Sequence, residues 1–181
     1  LIDLLGTHGA WLGDVAGRAI VVTGVAAKSK DEQKGAVAEK AKWFADPVAL
    51  ARDPSNEVFV ELIGGYSPAK DFVLKAIANG KHVVTANKAL LAVHGNEIFA
   101  AAQKAGVMVA FEAAVAGGVP IIKALREGLT ANRIEWIAGI INGTSNFILS
   151  EMRSKGKSFD EVLKEARKLG YAEADPTFDI E

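Results

Sequence analysis

The chain has 181 residues, half of them hydrophobic and 24% charged, with a formal net charge of -1 and no cysteine. That length allows one full domain and part of another, and the composition is that of a globular chain rather than a disordered one. A charge this close to zero gives no global case for nucleic acid, and the lack of cysteine excludes disulfides, thiol nucleophiles and thiolate-held metals.

No run of about 18 apolar residues occurs, so no membrane span is expected. Leu1 to Gly6 lacks the basic start and cleavage pattern of a signal peptide. A reducing cytoplasm is the compartment that fits a chain without cysteine. Leu1, Ile2, Leu4 and Leu5 open the sequence inside an apolar pattern that reads as the buried face of a helix. That beginning points to a fragment of a longer protein.

Ala19 to Ala26 (AIVVTGVA) is rich in β-branched residues and reads as a buried strand. Trp43-Phe44 marks a short strand, and Pro47 to Arg52 a short helix. Val58 to Ile63 (VFVELI) is the next clear strand, ending at Gly64-Gly65. Ser67-Pro68 supplies an N-cap and a proline at the first helical position. Phe72, Val73, Ala76 and Ile77 then share one helical face, which Asn79-Gly80 stops. His82 to Thr85 is a strand, Gly95 to Ala105 a helix with Ile98, Phe99 and Ala102 on its apolar side, and Val107 to Phe111 a further strand. Strands alternating with helices predict an α/β fold, a doubly wound parallel sheet whose ligands sit at the carboxyl ends of the strands. The loops placed there are Gly64-Gly65, Ala86 to Lys88, and Glu112 to Gly118.

The character changes after Pro120. Ile121, Ile122, Ala124 and Leu125 make a helix ending near Gly128, Arg133 to Ile141 (RIEWIAGII) reads as a strand, and Asn142 to Asn146 turns into another helix. Ser158 and Glu161 form a capping box for a helix whose apolar face is Phe159, Val162, Leu163, Ala166 and Leu169, with Gly170 beyond it. A domain boundary is expected between residues 115 and 130.

Several residues could carry chemistry. Gly6, Gly9 and Gly13 have the wrong spacing for a phosphate loop and follow no strand, so a helix end before the Ala19 strand is the plainer reading. Lys28 and Lys30 follow the first strand, where they could pair with a 2′-phosphate or simply face solvent. Lys88 closes Thr85-Ala86-Asn87-Lys88 at the carboxyl edge of the sheet. A lysine there can donate to a carbonyl oxygen as negative charge grows on it, although a lone strand-end lysine is more often a surface residue. Asn87 can be a simple turn former. Glu112 precedes Gly117, Gly118 and Pro120 in a strand-to-helix turn, where it could join backbone carbonyls around a hard cation. Glu173, Asp175 and Asp179 give an acidic loop that could hold a substrate ammonium, or be only solvated. His82 reads as strand packing, His8 and His94 as surface residues, and Trp11, Trp43 and Trp136 as core or interface.

Five segments together resemble homoserine dehydrogenase: VELIGG (Val60 to Gly65), NGKHVVTANKALLAVHG (Asn79 to Gly95), FEAAVAGGVPIIKALREG (Phe111 to Gly128), GIINGTSNFIL (Gly139 to Leu149) and GYAEADPTFD (Gly170 to Asp179). No single one is decisive, but five in order at family-like spacings are specific. The resemblance is weakest from Lys28 to Asn56.

The resemblance implies a Rossmann-type NAD(P)-binding domain over residues 1–118. Part of an α+β catalytic and dimerisation domain would follow over residues 119–181. It implies reversible reduction of L-aspartate 4-semialdehyde to L-homoserine, on the route to threonine and methionine, in a homodimer or homotetramer. By position, Gly64, Ala86 and Lys88 match cofactor contacts, and Lys88 also matches one of two lysines at the reaction centre. Glu112, Val115, Gly117 and Val119 match a sodium-like monovalent cation site built mostly of backbone oxygens. Glu173 matches the substrate-binding residue, with Asp175 in the same signature. Two family features are expected beyond the ends of this sequence: a glycine-rich loop before Leu1, and a second lysine after Glu181. By that reading the polypeptide alone is catalytically incomplete. The alternatives are a related amino-acid semialdehyde dehydrogenase, a nucleotide-binding remnant, and a domain of a chain fused to an aspartate kinase.

Overall fold

A computed structural model of the chain describes residues 1–30 and 39–172. It divides into two compact units, Leu1–Leu129 and Thr130–Glu181.

Among its described residues the first unit holds five short strands: β1 (Gly24–Val25), β2 (Lys42–Trp43), β3 (Val58–Glu61), β4 (His82–Thr85) and β5 (Val109–Ala110). All pair in parallel, β1 with β2 as one ladder and β3-β4-β5 as another, with Val58 opposite His82 and Val83 opposite Val109. The predicted parallel α/β pattern is therefore present. The predicted strand over Ala19 to Ala26 shortens to two residues because β2, its one neighbour among the described residues, offers a ladder only from the Thr23 carbonyl to the Val25 carbonyl.

Helices α2 (Pro47–Arg52), α3 (Ala69–Ala78) and α4 (Lys88–Ala105) pack with one another and with the second ladder. Their common core is Ala51, Phe59, Ala69, Val73, Ala76, Ile77, Val83, Leu90, Ile98, Ala102 and Val109. Strand alternation explains the choice of face: Phe59 and Val83 point into this core, while Val58 and Val60 stay 47% and 41% exposed on the opposite face. The start of α3 differs from expectation. Ser67 does not cap it; the first amides are taken by the carbonyl oxygens of Tyr66 and Pro68. Gly80, at φ 73°, ends the turn after α3. Buried Lys81 then ties the amino end of β4 to the preceding loop, its Nζ donating to the carbonyl oxygens of Asp53 (2.6 Å) and Asn56 (2.7 Å).

Gly6, Gly9 and Gly13 lie inside helix α1 (Ile2–Ala16), which Gly17 closes in the left-handed conformation. They form no phosphate loop, and they stand within the helix rather than in a helix end and loop. Trp11 and Trp136 are 63% and 78% exposed, so neither is a core residue of its unit.

In the second unit, α5 (Gly143–Lys155) and α6 (Phe159–Lys168) form a helical hairpin around Ile148, Val162, Ala166 and Ala172. Asn142 caps α5 by accepting from the Ser145 amide at 2.8 Å, and both halves of the Ser158–Glu161 capping box are present. The strand expected over Arg133 to Ile141 does not form. None of the described residues supplies a ladder for it, and an extended segment without a partner is not a strand.

Candidate functional site

The carboxyl ends of β3 and β4 meet in a buried polar network. Glu61 occupies the inward register position that follows Phe59 and is 1% exposed. Its Oε1 accepts from the Ile63 amide at 2.7 Å and from Asn87 Nδ2 at 3.4 Å, and its Oε2 from the Thr85 hydroxyl at 2.7 Å. Such a buried carboxylate is tolerable because its lone pairs are met by donors. Thr85 Oγ1 in turn accepts from the Asn87 amide at 3.0 Å.

Asn87 is the hub. Its Oδ1 accepts from the Leu90 amide at 3.0 Å and so caps α4, while its Nδ2 donates to the Gly65 carbonyl across the corner. This cap starts the helix at Lys88, seven residues earlier than the apolar pattern from Gly95 suggested. Lys88 is thus an exposed first-turn residue of α4 rather than part of an open loop. Gly64 and Gly65 take φ values of 82° and 65°, and a Cβ built on either would meet nothing within 4 Å. Open space beside left-handed glycines lets a ligand approach the backbone closely.

The second candidate turn follows β5. The Glu112 carboxylate accepts from the amides of Ile122 (2.9 Å) and Lys123 (2.7 Å), holding the start of the short helix Ile121–Lys123. Ala116 and Gly118 have φ of 47° and 88°, and the Val119 amide donates to the Ala116 carbonyl at 2.9 Å. Val115 and Val119 are exposed on this bend. Its first residues, Glu112–Ala114, pack against β4, and Phe111 stacks at a tilt on Phe99 of α4 with centroids 5.2 Å apart. Among the described residues, no group of three or more His, Cys, Asp or Glu side chains gathers in a metal-binding arrangement.

Residues 4–112 match the family model described as homoserine dehydrogenase, NAD binding domain, and residues 120–181 match the one described as homoserine dehydrogenase. The chain belongs to the homoserine dehydrogenase family. Homoserine dehydrogenase of Pseudomonas aeruginosa is 64% identical over 166 residues, 92% of this chain and 38% of that protein. The crystal structure of a homoserine dehydrogenase from Thiobacillus denitrificans superposes with a TM-score of 0.89 at 63% identity, covering 99% of this chain and 41% of that one. A hyperthermophilic archaeal homoserine dehydrogenase in complex with NADPH gives a TM-score of 0.68 at 28% identity over 96% of this chain and 49% of that one. The chain therefore spans about two fifths of the length of its Pseudomonas relative. Its first unit carries the Rossmann-type NAD-binding fold of homoserine dehydrogenases.

Of the residues marked by the homoserine dehydrogenase resemblance, Gly64, Ala86 and Lys88 flank one corner tied together by Asn87. Glu112, Val115, Gly117 and Val119 lie on the single bend after β5. Glu173 and Asp175, with Asp179, lie outside the described residues. The exposed Lys28 and Lys30 follow the carboxyl end of β1. His82 is exposed rather than packed in the strand, its Nδ1 accepting from the Met108 amide at 2.9 Å. Glu61 went unnoticed in the sequence, although alternation alone puts the glutamate of VFVELI on the same face as Phe59, where a charged residue is rare.

Proposed function

We propose that the protein to which this chain belongs is an NAD(P)-dependent homoserine dehydrogenase, interconverting L-aspartate 4-semialdehyde and L-homoserine. The observation that carries the reading is the Asn87–Gly65 bond, which brings Gly64-Gly65 and Ala86–Lys88 together at the carboxyl edge of a parallel sheet in a chain of this family. The bound dinucleotide would supply or accept the hydride. Gly64 and Ala86 would leave room for it against the backbone, and Lys28 and Lys30 favour a 2′-phosphate and hence NADP over NAD. Lys88 would hold the carbonyl oxygen of the semialdehyde and stabilise negative charge growing there. Glu173, with support from Asp175, would anchor the substrate's ammonium.

A sodium-like cation at this bend would be held by Glu112, Val115, Gly117 and Val119, mostly through backbone carbonyl oxygens. In this reading residues 1–118 bind the dinucleotide, residues 119–181 begin the catalytic domain, and the whole protein works as a homodimer or homotetramer in the cytoplasm. No helix among the described residues is long and apolar enough to cross a membrane.

The test is an assay of the full-length protein for NADPH oxidation across a panel of aldehydes. L-aspartate 4-semialdehyde should be turned over far faster than other amino-acid semialdehydes. Preference for a different semialdehyde would reassign the substrate, and dinucleotide binding without any hydride transfer would make the protein a binding remnant.

A further inference from the structure

The geometry points to Glu61 as a positioning residue for the cofactor: through Asn87 and the Ile63 amide it locks the Gly64-Gly65 turn against the Ala86–Lys88 corner, so that one dinucleotide meets both. The inference rests on the cofactor reading above and adds a residue that contacts no ligand itself.

The argument starts from donors. Three of them converge on the two Glu61 oxygens: the Ile63 amide, the Thr85 hydroxyl and the Asn87 side-chain amide. The Leu90 amide demands the Asn87 oxygen, so the Asn87 nitrogen must face Glu61 and Gly65. Glu61 therefore helps decide which way Asn87 points. The Ile63 amide, held by the same carboxylate at 2.7 Å, is the last one before Gly64, so the carboxylate grips both sides of the corner. A Cβ built on either left-handed glycine beyond it would meet nothing within 4 Å, so no packing on that side holds the turn. Two hydrogen bonds hold the ends of the turn, at the Ile63 amide and the Gly65 carbonyl, and both lead back to the buried carboxylate directly or through Asn87. The Ile63 and Asn87 donors share Oε1, and the Thr85 hydroxyl on Oε2 can accept as well as donate, so a glutamine would keep the grip on the corner, whereas a leucine of similar size removes both acceptors.

The experiment uses the full-length protein and NADPH. Glu61→Leu should raise the NADPH Kd about tenfold, or about 1.4 kcal/mol, while the KM for L-aspartate 4-semialdehyde stays within about twofold. Asn87→Ser keeps an oxygen to cap α4 but removes the amide donor, and should weaken NADPH in the same way. It also covers the case in which Glu61→Leu fails to fold. Lys81→Met breaks buried hydrogen bonds at the opposite end of β4 and should lower the unfolding midpoint without moving the NADPH Kd. Parent-like Kd values in Glu61→Leu and Asn87→Ser would overturn the inference. So would equal weakening by Lys81→Met, since the effect would then be one of stability alone. A parent protein that bound no NADPH would sink the cofactor reading itself, and this inference with it.

Discussion

Lys88 occupies a place that helix electrostatics disfavours. The first turn of α4 has no acidic residue, and a cation there faces the positive end of the helix dipole at a cost of about 0.3–1 kcal/mol. A residue that breaks a local rule is a candidate for function. Here the lysine and the open end of the helix add to one positive region at the sheet edge. Lys88→Ala in the full-length protein should cut kcat about a hundredfold or more. Unchanged turnover would remove Lys88 from the reaction. Gly24 makes a different demand at the same scale. A Cβ there would stand 2.7 Å from both Leu50 Cδ1 and Phe44 Cε2, so Gly24→Ala should destabilise by about 1–3 kcal/mol in urea unfolding.

Among the elements, what could be read in advance was set by local chemistry. Helix α2 begins and ends where its proline and apolar spacing place it, and the capping box of α6 forms as its Ser-x-x-Glu pattern predicts. Strands β3 and β4 follow from β-branched runs bounded by glycine. What escaped was decided at a distance. The Arg133 to Ile141 segment has strand propensity but no ladder partner among the described residues, and α4 starts at an asparagine whose capping role depends on neighbours more than twenty residues away. The site divides the same way. Lys88 and the glycines were visible as motif residues, whereas Glu61 became notable only once its burial and its donors were known.

The α6 hairpin also carries an acid response. Hydrogen bonds from the Ser158 amide and hydroxyl hold Glu161 below its ordinary value of 4.5, and the Lys157 ammonium does the same for Glu165. A carboxylate whose value is depressed on folding adds stability that is fully present above the unfolded value and disappears as pH falls through the folded one. The unfolding midpoint of the hairpin should therefore hold steady above about pH 5 and decline as the pH falls toward 3. Ser158→Ala should cost about 1 kcal/mol at neutral pH and flatten that decline, as followed by circular dichroism. Equal acid sensitivity in the variant and the parent would show that the capping box is not its source.

At the scale of the molecule, each unit has its own apolar centre, and the larger one is built on alanine and β-branched side chains with few aromatics. Small residues at Ala51, Ala69 and Ala76 let α2 and α3 approach closely, which leaves Ile77 among the largest fully buried side chains. Ile77→Ala should therefore cost about 2–5 kcal/mol by chemical denaturation. A loss under about 1 kcal/mol would mean that the helix layer relaxes around the vacancy.

The way β4 is anchored has a use of its own. Lys81 is 3% exposed and its Nζ is engaged by two carbonyl oxygens of the loop before β3. An acylating reagent can reach that amine only when the loop swings away, so the slow modification of Lys81, timed by mass spectrometry against the fast surface lysines, becomes a clock for the opening of this end of the sheet.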